Sequence, residues 1–351
     1  MVLEVFGTYI SYYGLVYGLG AVLFILLSRP ALPMFYIKNN LLVRSMIGIY
    51  AAIGAIVGGR LGYVICYDPW YYAEHIDHIW QLNLGGMSYM GGIVGLALFL
   101  YLIVNFITPY IAHNPFIRYS HGNSHGLVHS HSHSHNHITA NLHLDKQDMV
   151  ADATKYSSSK SNSRGQNISL LSGQFVYSSH IYKQIKKEIF YCYADRAVLI
   201  ALLIIPLGRV ANFFNGELYG TPSTLPWAVI FSNAGDLTPR HPVQIYEALA
   251  EGPLLALILL ALLVIRNSYR AAVRKNLIGA VYYSKGNLRP GALTLTYLMV
   301  YAILRFICEF VREPDIQLGY ILGPLSMGQI QCLILLVTAL AIAKFSKRTM
   351  W

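Results

Sequence analysis

Seven stretches of this chain are apolar for long enough to cross a bilayer as helices, a crossing that takes about 20 residues. They fall at 10–28, 45–67, 86–108, 194–214, 244–265, 291–311 and 324–343. The first is the most diluted, by Gly14, Gly18 and Gly20. Between the third and fourth the pattern changes in kind: residues 113–180 are rich in Ser, Asn and His, poor in aliphatic runs, and include HSHSHSHNH at 129–137. A segment of that composition cannot bury enough apolar surface to offset its ordering entropy. The pattern therefore predicts three parts: spans one to three in 1–108, a disordered His/Ser-rich cytoplasmic insertion at 109–190, and spans four to seven in 191–351 with a small outer head at about 215–243.

Composition agrees with a polytopic membrane protein. The 351 residues are 55% hydrophobic and 12% charged, with a mean hydropathy of +0.45. The formal charge of +10 would point to nucleic acid in a soluble chain, but no nucleic-acid motif is present and the basic residues fall in alternate loops. Cytoplasmic loops are the ones enriched in Lys and Arg. Arg29, Lys38 and Arg44 follow the first span, Lys183, Lys186 and Lys187 the third, and Arg266, Arg270, Arg274, Lys275, Lys285 and Arg289 the fifth. The second, fourth and sixth loops hold none, Arg240 and Arg312 respectively, and Lys344, Lys347 and Arg348 close the chain. This alternation predicts an all-α protein with seven transmembrane helices, its N-terminus outside and its C-terminus cytoplasmic. No basic region or small-residue cleavage site accompanies the first apolar run, so it reads as a retained membrane segment. Cys66, Cys192, Cys308 and Cys332 stand singly, without the pairing of a disulfide framework or a zinc site, and read as packing residues.

Candidate chemistry gathers where polar groups interrupt the apolar runs. GRVANFFNGELYG at 208–220 places Arg209 and Asn212 on one face at the end of the fourth span, with Glu217 just beyond. An arginine at membrane depth costs about 2.5–3.5 kcal/mol on insertion scales and usually faces a protein-lined cavity. RHPVQIYE at 240–247 follows, with Arg240 and His241 before a helix whose Glu247 and Glu251 share a face. In the sixth span Tyr301, Arg305 and Glu309 form one i, i+4 stripe, in which a purely structural Arg305–Glu309 ion pair is the plain alternative. Arg60, in GGRLGYV at 58–64, is a third intramembrane arginine, and GGMSYMGG at 85–92 opens the third span with two glycine pairs that serve either helix packing or close approach to a ligand. Guanidinium groups from different spans point to an anionic ligand, and the abundant anion in a membrane is lipid phosphate.

These motifs, with YYGLVYGLG at 12–20, RFICEFVREPDIQLG at 305–319 and SMGQI at 326–330, resemble those of the bacterial phosphatidylglycerol:prolipoprotein diacylglyceryl transferase family, in family order along nearly the whole chain outside the insertion. The resemblance implies a seven-span enzyme of the inner membrane with a periplasmic head. It would move diacylglycerol from phosphatidylglycerol to the thiol of a lipobox cysteine in a prolipoprotein signal peptide, forming a thioether and releasing glycerol 1-phosphate. It implies catalytic roles for Arg209 and Arg305, with Asn212, Glu217, Gly220, Tyr13, Tyr301, Glu309 and His241 completing the substrate site, to which Arg60 is added as the third intramembrane arginine, and no metal or organic cofactor. One departure stands out: the family's usual histidine before the second glycine pair is Met90 here, and a thioether accepts no proton at neutral pH. The thiol is then ionised by the arginines' field, or Glu309 or a tyrosine takes its proton, or activity is reduced.

Two other readings remain open from sequence. The His-rich tract can hold Zn, Ni or Cu, which motivates a divalent-metal transporter, although tracts of this kind are more often simply solvated and the spans themselves carry arginines and no histidine. Met90 alone motivates a catalytically inactive relative.

Overall fold

A computed structural model describes residues 2–5, 8–27, 41–81, 85–112, 179–276, 289–315 and 317–346. The chain divides into two compact units, one of Met1–Arg29, Asn40–Ile103 and Phe190–Trp351, the other of Pro30–Asn39 and Val104–Ile189. The second is described only at 104–112 and 179–189, where the buried Thr108 returns its hydroxyl to the Val104 carbonyl at 2.5 Å. Most of the expected insertion, including the His-rich tract, lies outside the described residues.

Among the described residues six helices are long and apolar enough to cross a membrane, which makes this a multi-pass membrane protein. A short hairpin, β1 (Val2–Val5) on β2 (Thr8–Ser11), leads into α1 (Tyr12–Leu27). That helix is apolar over Gly14–Leu26 and shorter than the other six, so the first expected span begins as a strand where the pattern puts a helix. Next come α2 (Leu41–Cys66), the short α3 (Pro69–Glu74), α4 (Tyr89–Ala112) and α5 (Ser179–Asn215). The last starts well ahead of residue 194, because a basic, amphipathic lead-in continues the helix that the apolar run starts. Then α6 (Val243–Leu249) passes through a π-helical turn at Ala250–Leu254 into α7 (Leu255–Asn276). The bundle ends with α8 (Ala292–Cys308), a hairpin of β3 (Tyr320–Leu322) on β4 (Leu325–Ser326), and α9 (Met327–Ser346). The two hairpins amend the all-α expectation.

Three local devices set the register of this bundle. In the first, α2 and α4 meet backbone to backbone. A Cβ on Gly58 would lie 2.3 Å from the Gly91 carbonyl oxygen, and one on Gly95 would lie 2.1 Å from that of Gly54. Small residues permit this approach in membranes, where tight packing replaces the hydrophobic effect as the driving force. The second glycine pair of GGMSYMGG therefore serves helix packing, through Gly91. In the second device, Asp195 on α5 caps α8: its carboxylate accepts from the Gly291 N–H at 2.7 Å, the Thr294 N–H at 2.8 Å and the Thr294 hydroxyl at 2.6 Å. A carboxylate at a helix N-terminus satisfies orphan donors and complements the dipole. Arg209 stands fourteen residues after Asp195, and Arg305 fourteen after Gly291. Two helices pinned to each other at Asp195 and at the start of α8, each rising about 1.5 Å per residue, thus bring both arginines to one level.

The third device is the π turn. Pro253 has no N–H and its ring crowds the carbonyl four residues back, and the Leu255 N–H reaches the Ala250 carbonyl five residues back. At this turn Gly252 lies against Pro206 of α5, where a Cβ would meet the proline Cγ at 2.4 Å. Glu251 is thereby set against the turn that carries Arg209. Around these contacts Val198, Leu255, Leu259, Tyr297, Tyr301 and Leu335 form a buried core, while Leu257, Leu260, Val264 and Val337 point outward with more than half their surface exposed, as lipid-facing side chains do. Substituting Gly91 by valine forces α2 and α4 apart, and overpacking of this kind costs about 1–3 kcal/mol. Thermal unfolding in detergent will show a clear drop for Gly91→Val and little change for Gly18→Ala, whose new methyl meets nothing within 4 Å.

Candidate active site

Arg209 and Arg305 converge from α5 and α8 on two carboxylates that no sequence pattern singled out as ligands. Glu247 and Glu251 are fully buried. The Arg209 Nε lies 2.9 Å from Glu251 Oε2 and 3.1 Å from Glu247 Oε2, and its Nη2 donates to Glu251 Oε1 at 3.3 Å. The Arg305 Nη1 contacts Glu247 Oε1 and lies 3.4 Å from Glu251 Oε1, while its Nη2 donates to Glu309. A third arginine, Arg312, approaches Glu247 at 3.6 Å and Glu309 at 3.9 Å, and reaches Asp315 at the more exposed rim at 3.6 Å. Three arginines thus face three buried glutamates. The contacts to Glu247 are ionic, since neither of its oxygens meets hydrogen-bond geometry. Removing one partner of such a buried set costs about 3–5 kcal/mol, because it strands a charge.

Glu309 is held on both sides. Its Oε1 takes Arg305 and its Oε2 accepts the Ser326 hydroxyl at 3.0 Å. Ser326 is in turn fixed by a reciprocal capping box at the start of α9: its N–H donates to Gln329 Oε1 at 3.0 Å and its Oγ accepts the Gln329 N–H at 3.2 Å. A Cβ on Gly328 would lie 2.6 Å from the Glu309 carboxyl carbon. The SMGQ stretch is therefore a cap and a seat for Glu309. The Arg305–Glu309 pair foreseen as the structural alternative exists, but as one edge of a six-membered cluster. Tyr301, one turn before Arg305, is buried with a hydroxyl that meets no hydrogen-bond partner among the described residues, and its ring lies beside those of Tyr89 and Tyr297. Met90 packs with Tyr89 and Ile93 against the same core.

The other expected residues separate into supports. Arg60 is fully buried and spends all five donors on backbone carbonyls: Ile79 at 2.7 Å, Gly85, Gly86 at 3.1 Å, His78 at 2.8 Å and Gln81 at 3.1 Å. It has none left for a phosphate. The carbonyls it gathers come from a loop in which Gly85 and Gly86 adopt φ near +76° and +78°, so the first glycine pair makes a turn and Arg60 locks it. Gly220 is likewise a packing point, its N–H bonded to the His241 carbonyl at 2.9 Å and its Cα so enclosed that a Cβ would meet the Val311 oxygen at 2.6 Å. Asn212 is buried and its carbonyl accepts the Glu217 N–H at 3.1 Å. Glu217 takes the Asn215 amide at 2.9 Å, and its carbonyl takes Gln244 at 2.7 Å. Gly216 and Leu218, both at positive φ, bend this turn. His241 borders an open 530 Å³ cleft with Pro222, Ser223, Leu225 and Pro239, and lies 3.5 Å from the Tyr246 hydroxyl. Tyr13 falls in α1, its side chain outside the described residues.

Between α5 and α6, Arg240 clasps Glu313 and, at 3.2 Å, Asp236. The Thr238 N–H, and after it Arg240, hold the Asp236 carboxyl below its ordinary 3.8, so the stability this group contributes is present above that value and is lost as pH falls through its folded pKa. Tyr67, beyond the end of α2, is pushed up to about 12 by burial, with Asp315 adding to the shift, and stays a neutral hydroxyl at physiological pH.

Guanidinium forks shared between buried carboxylates have the chemistry that binds an anion, and comparison with known proteins shows which family carries them here. The family model described as prolipoprotein diacylglyceryl transferase matches residues 1–116 and 171–344. The chain belongs to this family. A relative from Methylocella silvestris is 31% identical over 86% of this chain and 74% of its own length, and one from Methylococcus capsulatus is 30% identical over 97% and 93%. Both are named phosphatidylglycerol–prolipoprotein diacylglyceryl transferase. Membership in the diacylglyceryl transferases favours that reading over the metal-transporter alternative.

The division between clamp and scaffold is testable. Arg60→Ala leaves five carbonyls of the 78–86 loop without their donor, at about 1–3 kcal/mol for each that stays buried and unpaired. It will lower the melting temperature in detergent while the folded fraction still binds phosphatidylglycerol, whereas Arg305→Ala will lose lipid binding in its folded fraction. Equal loss of binding in both variants would return Arg60 to the phosphate site.

Proposed function

We propose that this chain transfers the diacylglyceryl group of phosphatidylglycerol to the thiol of a lipobox cysteine in prolipoprotein signal peptides, at the inner membrane of a bacterium. In this reading it spans the membrane seven times, N-terminus outside, with 109–190 cytoplasmic and the head at about 215–243 periplasmic. The observation that carries the reading is the meeting of Arg209 and Arg305 on shared carboxylates. A phosphodiester has the charge and the paired oxygens of a carboxylate and fits the same forks.

Sulfur attacks the glyceryl carbon that bears the phosphate ester, the C–S bond forms as the C–O bond breaks, and the electron pair leaves on the phosphate oxygen. Negative charge therefore grows on the phosphate in the transition state. Two guanidinium groups already in place, and away from water, stabilise that charge more than they stabilise the ground state. Arg312 adds to the positive side, Glu309 and the Ser326 cap keep Arg305 oriented, and Asn212, Glu217 and His241 shape the approach from the head. Met90 supports a second reading, an inactive relative, which the same experiment decides.

The purified protein with phosphatidylglycerol and a lipobox peptide will add one diacylglyceryl unit to the peptide by mass spectrometry, and none to a Cys→Ser peptide. Arg209→Ala and Arg305→Ala will each slow transfer by about 100-fold or more. No transfer by the unmodified protein, with Met90→His restoring it, would establish the inactive relative.

A further inference from the structure

The three glutamates of the cluster are not equivalent. Glu309 keeps Ser326 and Arg312 whatever happens to Arg305. Glu247 touches all three arginines and keeps Arg312 if the other two turn away. Glu251 is the exception, because its ion-pair partners among the described residues are Arg209 and Arg305 alone, the two groups that the proposed function assigns to the lipid phosphate. A phosphate seated between them takes the place of Glu251 and leaves its carboxylate without a cation.

Charge counting gives the consequence. The buried cluster is neutral as it stands, three guanidinium groups against three carboxylates, with Asp315 at the rim. A phosphodiester monoanion brings one surplus negative charge into a low-dielectric site, where an unpaired charge is expensive. Uptake of one proton by a carboxylate makes the arginine cluster with its phosphate neutral again, and the thiol must shed one proton to become a nucleophile, so the surplus charge passes to the sulfur that attacks. Met90 offers no lone pair basic enough to take it.

We propose that Glu251 holds the place of the lipid phosphate between Arg209 and Arg305 in the unloaded enzyme and, once displaced, acts as the base for the substrate thiol. This rests on the diacylglyceryl transferase reading above. The S–H proton passes to Glu251 Oε, the sulfur pair forms the C–S bond, and the broken C–O bond leaves its pair on glycerol phosphate. The proton then leaves with that product or to water, and Glu251 returns to the arginines. Displacing the product by the enzyme's own carboxylate also resets the site. Glu251 lies on the π turn, where the hydrogen bonding departs from the α-helical pattern, a feature frequent at functional sites.

The test uses the full chain in mixed micelles of detergent and phosphatidylglycerol with a lipobox peptide, comparing E251Q with the unmodified protein. Glu251 is faced by Arg209 on α5, Arg305 and Tyr301 on α8, with Tyr297 and Tyr89 behind, and Glu247 on its own helix; the buried thiols Cys308 and Cys332 lie nearby. All of these are common to both proteins, so they cancel in the comparison. E251Q removes a competing anion and the base together. Its half-saturating fraction of phosphatidylglycerol should fall several-fold while maximal transfer falls about 100-fold. Its rate should then climb about tenfold per pH unit toward the ordinary thiol pKa near 8.5, closing on the unmodified protein as the peptide thiol ionises unaided.

Parallel pH profiles with half-saturation unchanged or raised would make Glu251 a structural counter-ion only and overturn the inference alone. No transfer by the unmodified protein would overturn the functional reading and this inference with it. Should E251Q not fold, E251D carries the test: the shorter reach should slow transfer at least about tenfold, and an unchanged rate would overturn the assignment.

Discussion

A guanidinium group inside a bilayer is tolerable when carboxylates lie against it, and here that constraint binds three apolar helices together. Arg209 on α5, Glu247 on α6, Glu251 on the π turn that follows, Arg305 on α8 and Glu309 just beyond it form one neutral body of charge. No helix can turn or slide by a residue without exposing a charge to hydrocarbon. The stability of the bundle and the geometry of the site are therefore one problem. A charge cluster built for stability alone would be better replaced by apolar packing, so its retention at membrane depth argues that the charges are used.

The devices that hold the cluster lie at a distance from it. The Asp195 cap fixes where α8 begins relative to α5, and equal fourteen-residue runs carry that register to the arginines. Pro206 against Gly252 sets the π turn, and the Ser326–Gln329 box sets Glu309. Arg60 does a similar service for the loop before α4, with carbonyls in place of carboxylates. Each is a hydrogen-bond or close-packing solution of the kind that membranes favour, since apolar burial between helices gains nothing over lipid.

Much of this was legible in the sequence, for reasons that differ by residue. The apolar runs of α2, α4 and α6 to α9 announce themselves because a bilayer demands length. Arg209 and Arg305 stand out because an arginine in such a run needs an explanation. The pattern could not separate Arg60 from them. An arginine paired to carbonyls looks the same, in one dimension, as an arginine awaiting a phosphate, and the difference lies in the fold of residues 78–86. Glu247 and Glu251 were visible as an i, i+4 pair, but their partners are 38 to 65 residues away, and no local spacing reveals that. The early start of α5 escaped because its lead-in is basic and polar, so the helix extends where the apolar pattern does not.

The central claim is that the arginine pair is a phosphate seat occupied by a carboxylate until lipid arrives. An experimental density map of the full protein with bound phosphatidylglycerol tests it most directly. The lipid phosphate should lie between the guanidinium groups of Arg209 and Arg305, with the Glu251 carboxylate turned away from both and Glu309 still on Ser326. A phosphate bound elsewhere, with the Arg209–Glu251 and Arg305–Glu251 contacts intact, would contradict it.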